Sequence, residues 1–390
     1  MRCTTTGRTS ERYRADESNT RNRRAAPSRR NTVKPVSGYL EILEKGYGFL
    51  RTIENNFTPR SEDAFVPAHL IKKQGLPEGV HIQGAGQPGD GRNKNLKLAR
   101  IDTINDLAPE AYAQIKPLQE QTSVNPLEQF TLSQSIDDRV GRALDMFVPI
   151  GKGQRGLVVS PPKSGKTTIL KHVATSLQAH HPEAVLFVLL VDERPEEVTD
   201  FKRGLKSAVV LSSSADQPIA QHLRMTRLTM NCATRSAETG QDVVVLIDSL
   251  TRMSRAFNNQ TRSHGRTLSG GLAANALTIP RRIFGMARNI ENGGSLTVVA
   301  TILVDTGSRM DDVIFQEFKG TGNMDLVLSR ACAEQRLWPA IDINASGTRK
   351  EHLLMAKEAF QEAIEFRRQV AGLDEVTALA AFHSYLDQST

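Results

Sequence analysis

Residues 158–170, VVSPPKSGKTTIL, combine the residue types that hold a phosphate group in a tight turn between a strand and a helix. Such a turn directs several backbone N–H groups, and the positive end of the helix dipole, at one point. The Lys166 ammonium is expected to reach the β- and γ-phosphates, and the Thr167 hydroxyl to bind Mg²⁺. We therefore predict a site for ATP and Mg²⁺ on this loop, with the following contacts: Pro162, Lys163, Ser164, Gly165, Lys166, Thr167 and Thr168.

The loop departs from the usual phosphate-binding pattern G-x-x-x-x-G-K-[ST] at its first position, where Ser160 stands. Serine is small enough for a tight turn, so we expect the loop to keep its function. Lys163 adds a second cation that helps to hold a triphosphate. The alternative interpretation is a chance Gly-Lys-Thr before a helix, and the acidic residues elsewhere in the chain weigh against it.

Acidic residues end two further strand-like runs. DVVVLID ends in Asp248, where a carboxylate is expected to hold the Mg²⁺ shell. LLVDE ends in Asp192 and Glu193. Because ligands lie at the carboxyl ends of strands in open α/β sheets, Glu193 is predicted to orient or deprotonate the attacking water. The alternative is that Glu193, Glu196 and Glu197 only form the acidic start of a helix.

Late arginines and the single tryptophan are further candidates. Arg330, Arg336 and Arg349 lie near glycines or helix starts. In a ring, one of them can reach the γ-phosphate of a neighbouring subunit as an arginine finger, and otherwise each is a surface residue. Trp338 is either a core residue or an adenine-stacking residue, and the sequence leaves both interpretations open.

The segment KGYGFLR carries a candidate surface for nucleic acid. Tyr47 and Phe49 are two residues apart on a predicted strand, so both rings leave the same face. With Lys45 and Arg51 beside them, such rings can stack on unpaired bases. The alternative is an ordinary strand that buries Phe49, and the neighbouring glycines argue against it.

Two polar, glycine-containing loops follow strong strand signals. They are NNQTRSHGRTLSGGLAANA, with Arg266, and VDTGSRMDD, with Arg309. Their backbone N–H groups and charges can contact a nucleic-acid backbone, although both can also be simple surface loops.

The pattern of apolar residues predicts the elements that position these candidates. Residues 37–103 alternate polar and apolar residues around a Lys-Gly turn, which favours a small β-barrel. Residues 104–137 are a proline-containing polar connector. Residues 138–390 alternate helical stretches with continuous apolar runs, typical of a parallel sheet buried on both faces. The predicted strands are GLVVS, AVLFVLLV, SAVVLSS, DVVVLID, SLTVVATILV and DLVLS.

Charge is concentrated at the start of the chain. The 390 residues have a formal net charge of +7. Residues 1–36 hold ten basic and three acidic residues and read as a disordered basic arm, which is either solvated or adds affinity for nucleic acid. The three widely spaced cysteines predict no disulfide framework. No apolar run is long enough to span a membrane and no signal peptide is evident, so we expect a cytoplasmic protein without a membrane partner.

From about residue 37 onward, the chain resembles the bacterial transcription termination factor Rho family. The motifs that carry the resemblance are KGYGFLR, PPKSGKTT, VDERPEEVTD, DSLTR, GRTLSGG, DTGSRMDDVI, EFKGTGNMDL and SGTRKEHLL. The resemblance implies a RecA-like P-loop motor domain preceded by an OB-fold or cold-shock-like barrel. It also implies a homohexameric ring ATPase that moves 5′ to 3′ on single-stranded RNA and releases it from RNA polymerase.

The resemblance assigns roles residue by residue. It implies that Glu193 is catalytic together with Lys166, that Arg349 is the arginine finger with Arg336 a second interface arginine, and that Trp338 stacks on adenine. It places a primary RNA site at Tyr47, Phe49, Arg51 and Phe65, and RNA-gripping loops at Arg266, Thr267, Ser269, Gly270 and Arg309. It also places Asp192, Arg194 and Ser249 where the antibiotic bicyclomycin binds in the family.

Two departures qualify the resemblance. We expect the family's helical N-terminal domain to be replaced by the arginine-rich arm. Asn93 and Asn95 stand where the family usually has a glutamate and then an aromatic residue, so we expect this pocket to discriminate bases less well, and the sequence does not give its base preference. Two other functions remain as alternatives: a rotary-type or recombination ATPase of the same core, and a noncatalytic RNA-binding ring that uses ATP only for assembly.

Overall fold

The computed structural model describes residues 33–89, 95–214, 216–261, 271–273 and 275–388, and the predictions for residues 1–32 lie outside this range. The strands are β1 (Lys34–Ile42), β2 (Gly48–Arg51), β3 (Phe65–Val66), β4 (His81–Pro88), β5 (Leu96–Ile104), β6 (Ser123–Val124), β7 (Arg155–Ser160), β8 (Val185–Glu193), β9 (Val209–Ser214), β10 (Asp242–Asp248), β11 (Arg288–Ile290), β12 (Ser295–Leu303), β13 (Met324–Val327) and β14 (Gly347–Thr348). The α-helices are α1 (Ala68–Gln74), α2 (Pro109–Tyr112), α3 (Arg139–Phe147), α4 (Lys166–His180), α5 (Pro195–Gly204), α6 (Ile219–Glu238), α7 (Leu250–Thr261), α8 (Thr278–Phe284), α9 (Arg309–Lys319), α10 (Arg330–Glu334), α11 (Lys357–Val370) and α12 (Glu375–Gln388).

The first strands close into the predicted barrel, in the order β1-β2-β3-β5-β4. The expected hairpin is confirmed, because β1 and β2 pair antiparallel around a turn in which Gly46 has φ +80°. At Gly48, a Cβ atom would lie 2.5 Å from the carbonyl oxygen of Glu41, so glycine allows β2 to approach β1 closely. Strand β4 was not predicted, since its sequence HIQGAGQP is rich in glycine. Helix α1 was also missed.

The second sheet is mostly parallel, as predicted, in the order β14-β13-β7-β12-β10-β8-β9. All six predicted strands are present, and the pairs from β13 to β9 run parallel. Alternate residues of β10 enter different cores: Val243 and Val245 pack on one face, and Val244 and Leu246 on the other. This double burial explains why the strands read as continuous apolar runs.

The segment predicted as a connector contributes to this sheet. It contains α2 and the short strand β6, which pairs with β11, and β11 in turn pairs with β12. The boundaries that we predict between arm, barrel, connector and motor domain remain predictions. Within the described residues, no helix combines the length and apolarity needed to cross a membrane.

One aromatic side chain from a barrel loop lies in the core beside the second sheet. Phe57 is fully buried and belongs to the same apolar cluster as Leu211, Met225 and Leu228. The Oδ1 atom of the preceding residue, Asn56, accepts a hydrogen bond of 3.1 Å from the backbone N–H of Ser212 in β9. The loop therefore packs the barrel onto the second sheet.

Replacement of this aromatic side chain tests how much the packing contributes to stability. We expect Phe57→Ala to lower the free energy of unfolding by about 3–5 kcal/mol, since a large buried ring leaves a cavity. Denaturant titration measures the change, and Leu373→Ala, at a side chain that is 41% exposed, is the control. Equal midpoints for Phe57→Ala and the wild type would show that the loop does not hold the two parts together.

Candidate active site

The phosphate-binding loop is fastened by two serines. The hydroxyls of Ser160 and Ser164 lie 2.9 Å apart, and Ser164 donates to the carbonyl of Pro161 at 2.8 Å. Ser160 ends β7 and does not have a positive φ, so the position does not require glycine. Gly165, in contrast, has φ +91°, and a Cβ atom there would lie 2.7 Å from the ring of Trp338. Serine at the first position therefore closes the turn without strain.

Lys166 and Asp248 form the charged centre of the site. The Lys166 ammonium, at the first residue of α4, donates to both carboxylate oxygens of Asp248 at 2.8 Å. Thr301 on β12 donates a further bond of 2.8 Å to Asp248. Asp248 is fully buried, and these partners satisfy its charge. Parallel pairing of neighbouring strands brings these groups together.

Glu193 lies at the end of β8 and is only 1% exposed. Arg252 on α7 donates to its Oε1 atom at 3.3 Å, whereas its Oε2 atom lies 3.6 Å from the Lys166 ammonium and has no hydrogen-bond partner among the described residues. Burial raises the pKa of the Glu193 carboxyl, although the charges of Lys166 and Arg252 act in the opposite direction. A buried carboxylate with a free acceptor and a raised pKa is suited to accept a proton.

Two cavities meet at Gly165. A cavity of about 420 Å³ is lined by the phosphate-binding loop together with Thr167, Glu193, Arg252 and Leu303. A second cavity of about 250 Å³ lies on the side of Ser164, Thr168 and Trp338. Trp338 is 40% exposed. The interpretation of this residue as purely a core residue is therefore wrong, and its ring forms a wall of the smaller cavity.

The oxygen atoms beside the loop fit Mg²⁺ carried by a nucleotide. The hydroxyl of Thr167 lies 3.4 Å from a carboxylate oxygen of Glu197, and Asp248 lies beyond the Lys166 ammonium. No group of three or more His, Cys, Asp or Glu side chains able to hold a metal occurs in the described ranges. Mg²⁺ usually binds one or two protein oxygens together with substrate phosphates and water, and this donor set suits that mode.

The two predicted interface arginines do not line either cavity. Arg336 is exposed, with φ +62°, after α10. Arg349 follows β14, and its backbone N–H donates to the carbonyl of Asn323, just before β13 begins. Strand β13 runs parallel to β7, so Arg349 lies at the edge of the sheet where β7 begins. Lys166 lies at the opposite edge, after the last residue of β7. Six residues of strand separate these edges by roughly 17–20 Å.

The barrel presents three aromatic rings in a triangle. The ring centroids of Tyr47, Phe49 and Phe65 lie 5.5–6.0 Å apart, and all three side chains are half-buried. Register places Phe49 opposite Phe65 on adjacent strands, so both point to one face. We call these three residues the aromatic platform.

Arg51 occupies a different place from that expected of an RNA contact. Its side chain is buried, with bonds of 2.7 Å to Glu41 and 2.5 Å to Asp63. Its guanidinium carbon lies 4.7 Å from the ring centroid of Phe49. Arg51 therefore supports the platform from within the barrel.

The predicted RNA-gripping loops are described only in part. Arg266, Thr267, Ser269 and Gly270 lie outside the described residues, as does Asn93. Arg309 is exposed at the first residue of α9. Asn95 donates from Nδ2 to the backbone carbonyl of Asp63 at 3.0 Å, so it lies beside the platform as expected.

Sequence reasoning missed several residues at these sites. Arg252 donates to the backbone carbonyl of Asp192 at 2.6 Å and to the Glu193 carboxylate at 3.3 Å. In the sequence, only its position in the motif DSLTR pointed to a role in the site. Thr301 and Glu197 were missed as polar partners, although both lie close to predicted strand ends. Of the residues implied for the antibiotic, Asp192 and Ser249 lie directly beside Glu193 and Asp248, and Arg194 is exposed.

A parallel sheet with a phosphate-binding loop after β7 and carboxylates after two neighbouring strands defines a RecA-like P-loop ATPase. Residues 141–348 match the family profile described as the ATP synthase alpha/beta family, nucleotide-binding domain. Residues 36–110 match the profile described as the Rho termination factor, RNA-binding domain.

Comparisons that cover most of the chain give the particular family. A transcription termination factor Rho from Chromobacterium violaceum is 45% identical over 346 residues, which cover 88% of this chain and 82% of that protein. Rho of Haemophilus influenzae is 44% identical over 345 residues, and Rho of Aquifex aeolicus 45% over 347 residues, with coverage of 88% of this chain and 82% and 80% of those proteins. The chain belongs to the transcription termination factor Rho family.

Solved structures agree on the fold. A prototypical ATPase of the type III secretion system of pathogenic bacteria superposes with a TM-score of 0.56 at 23% identity, covering 70% of this chain and 78% of that one. The assembled ATPase EscN from enteropathogenic E. coli gives a TM-score of 0.55 at 23% identity, covering 68% and 62%. At this identity, the likeness concerns the fold alone.

The raised pKa of Glu193 predicts a pH-dependent effect on stability. Because the folded pKa lies above the ordinary value of 4.5, ionised Glu193 destabilises the unliganded fold at neutral pH, and this penalty disappears below pH 4.5. We expect Glu193→Gln to raise the melting temperature at pH 8 by roughly 1–3 °C, and the difference to vanish near pH 4.5. Thermal scans across this range measure it, with the exposed Glu196→Gln as control. A lower melting temperature for Glu193→Gln at pH 8 would contradict the assigned environment.

Proposed function

We propose that this chain is an RNA-stimulated ATPase that moves 5′ to 3′ on single-stranded RNA as a homohexameric ring and releases transcripts from RNA polymerase. The observation that carries the proposal is the presence, in one chain, of a RecA-like nucleotide site and an aromatic platform in an RNA-binding barrel. The conclusion also rests on membership of the Rho family.

The residues around the phosphate loop have different roles in hydrolysis. Backbone N–H groups of the loop, Lys163 and Lys166 bind the phosphates, with Lys166 exchanging part of its contact with Asp248 for the phosphate oxygens. Glu193 accepts a proton from the attacking water through its Oε2 atom, which no described residue hydrogen-bonds. Arg252 holds the other oxygen of Glu193, and so fixes the direction of the carboxylate.

The remaining contacts bind the ends of the nucleotide. Thr167 and Asp248 would hold Mg²⁺, which supplies positive charge against the phosphate oxygens when it is bound. The smaller cavity beside Gly165 suits the adenine, with the Trp338 ring as the stacking surface.

The position of Arg349 supports assembly in a ring. An arginine finger must reach the γ-phosphate, yet Arg349 lies at the opposite sheet edge from the Lys166 of its own chain. A ring built from head-to-tail contacts brings that edge of one subunit toward the nucleotide site of the next. Arg336 serves as a second arginine at the same boundary.

RNA would contact two places on each subunit. Unpaired bases stack on the aromatic platform, while Arg266, Thr267, Ser269, Gly270 and Arg309 grip the backbone in the ring. Asn95 donates to the backbone carbonyl of Asp63, two residues before Phe65 of the platform, and a site without an acid and an aromatic residue at this place is expected to discriminate bases less well.

Turnover with different polymers tests the proposal first. We expect ATP hydrolysis to rise strongly with single-stranded RNA and to stay near the basal rate with DNA of the same sequence. Comparison of poly(rC), poly(rU) and poly(rA) gives the base preference. Equal turnover with and without RNA would contradict the proposal and favour a rotary-type ATPase.

A variant of the phosphate loop separates turnover from RNA binding. Lys166→Ala is expected to reduce turnover by at least about 100-fold, whereas binding of a labelled RNA oligonucleotide to the barrel survives. Lys202→Ala, at an exposed position of α5, is the matched control. Retained RNA-stimulated turnover in Lys166→Ala would remove this lysine from the site.

Mixing two inactive variants tests the finger across subunits. Arg349→Ala and Lys166→Ala should each be inactive alone, because every interface lacks one group. In mixed rings, about a quarter of interfaces pair an intact Lys166 with an intact Arg349, so partial turnover should return. Arg368→Ala, at an exposed position of α11, serves as control. Normal turnover of Arg349→Ala alone would disprove the finger, and no recovery on mixing would place its action within one chain.

A further inference from the structure

A chain of buried charges joins the barrel to helix α6 of the motor domain. Arg224 on α6 donates from Nη2 to the Oε2 atom of Glu41 at 2.6 Å, and its Nε donates to the Oε1 atom of the same carboxylate. Arg51 donates from Nε to that Oε2 atom at 2.7 Å. Glu41, in β1, is 1% exposed. Two guanidinium groups from different parts of the chain thus share one buried carboxylate, and we call Arg224, Glu41 and Arg51 the latch.

The barrel end of the latch lies under the aromatic platform. Arg51 is held between Glu41 and Asp63, with its guanidinium 4.7 Å from the ring centroid of Phe49. A cation at this distance from the ring attracts it and restricts its orientation. A change in the position of Arg51 would therefore alter the orientation of the Phe49 ring and the position of the segment that contains Asp63.

The charge balance of Glu41 depends on both arginines. Burial alone would raise the pKa of the Glu41 carboxyl, but hydrogen bonds and charge from Arg224, and then from Arg51, outweigh it and hold the pKa below its ordinary value. Loss of Arg224 leaves the buried carboxylate with hydrogen bonds from Arg51 and with the more distant, half-exposed guanidinium of Arg227, 3.9 Å from Oε1. A buried carboxylate with fewer hydrogen-bonded partners is a costly arrangement. The carboxylate then has to move or take up solvent, and Arg51 moves with it.

The motor end of the latch is rigid. Arg224 also donates to the carbonyl of Phe57 at 2.6 Å, and the next residue of α6, Met225, is buried in the core beneath the sheet. Helix α6 packs against β8, β9, β10 and α7. A cleft of about 590 Å³ lies between the two parts, with Tyr47 and Arg51 on one wall and Arg224 on the other. The platform therefore borders the motor domain directly.

We propose that Arg224 is a positioning residue of the RNA platform, acting through Glu41 and Arg51. The inference rests on the proposed RNA-binding function, and adds that the affinity of the barrel for single-stranded RNA depends on a residue of the motor domain. By linkage, any shift of α6 that loosens the latch weakens RNA binding, and bound RNA disfavours that shift to the same extent.

The test compares RNA affinity in variants of the full chain. A fluorescent RNA oligonucleotide, long enough only to cover the platform, is titrated without ATP and followed by anisotropy. We expect Arg224→Met to weaken binding about tenfold and Arg224→Lys, which keeps the charge but has a single nitrogen, to weaken it less. Arg203→Met, at an exposed position of α5 and outside the latch, is the control with unchanged affinity. Wild-type affinity in Arg224→Met would overturn the proposal.

A double-mutant cycle with Glu41→Gln shows whether Arg224 acts through the carboxylate. In that background Arg224→Met should change the affinity by less than about twofold, whereas independent effects would multiply and disprove the latch. A fluorescent ATP analogue, titrated without RNA, reports whether each variant keeps the motor fold. If Arg224→Met does not fold, Arg224→Lys decides: weakened binding supports the proposal and wild-type binding overturns it. Failure of the wild type to bind RNA would instead refute the proposed function.

Discussion

Parallel pairing of β7, β12, β10 and β8 is the constraint on which the nucleotide site depends. Each strand of a parallel set ends at the same edge, so the phosphate loop, Asp248 and Glu193 meet there although they are up to 88 residues apart in sequence. The helix that starts at Lys166 adds its positive end at this edge. No single segment forms the site; the sheet brings it together, and the apolar runs that bury the strands on both faces keep the edge rigid.

Two buried glutamates show how the same residue type is adapted to different tasks. Glu41 is bonded by two guanidinium groups, its pKa is lowered, and it serves as a fixed negative charge between barrel and motor. Glu193 is equally buried, but one of its oxygens has no hydrogen-bond partner in the described part of the chain, and its pKa is raised. A buried carboxylate whose oxygens are all hydrogen-bonded is held as a fixed charge. A buried carboxylate with an oxygen that lacks a partner lowers the stability of the fold, and its raised pKa makes it a better proton acceptor.

Local patterns in the sequence predicted the motor strands, the hairpin and the groups at strand ends, because these depend on residue type and period. The role of Arg51 could not be predicted in this way, since its partners Glu41 and Asp63 lie on other segments of the barrel and only pairing register brings them together. Strand β4 could not be predicted because its glycines obscure the strand pattern. The roles of Arg252 and Arg224 could not be predicted because the local sequence of a helix does not show what an arginine side chain contacts. Long-range charge pairing is thus the part of the site that the residues alone do not reveal.

The placement of Arg349 connects the fold with the proposed assembly into a ring. Its backbone is bonded to the residue that precedes β13, at the edge where the parallel strands begin, and the phosphate loop lies where they end. A single subunit cannot bring these edges together without breaking the sheet. In the proposed ring the arginine finger therefore comes from a neighbouring subunit, whereas Arg252 of the same chain already lines the nucleotide cavity. The barrel is held to α6 by the buried ion pair of Glu41 and Arg224, and this contact connects the aromatic platform to the domain that carries the nucleotide site.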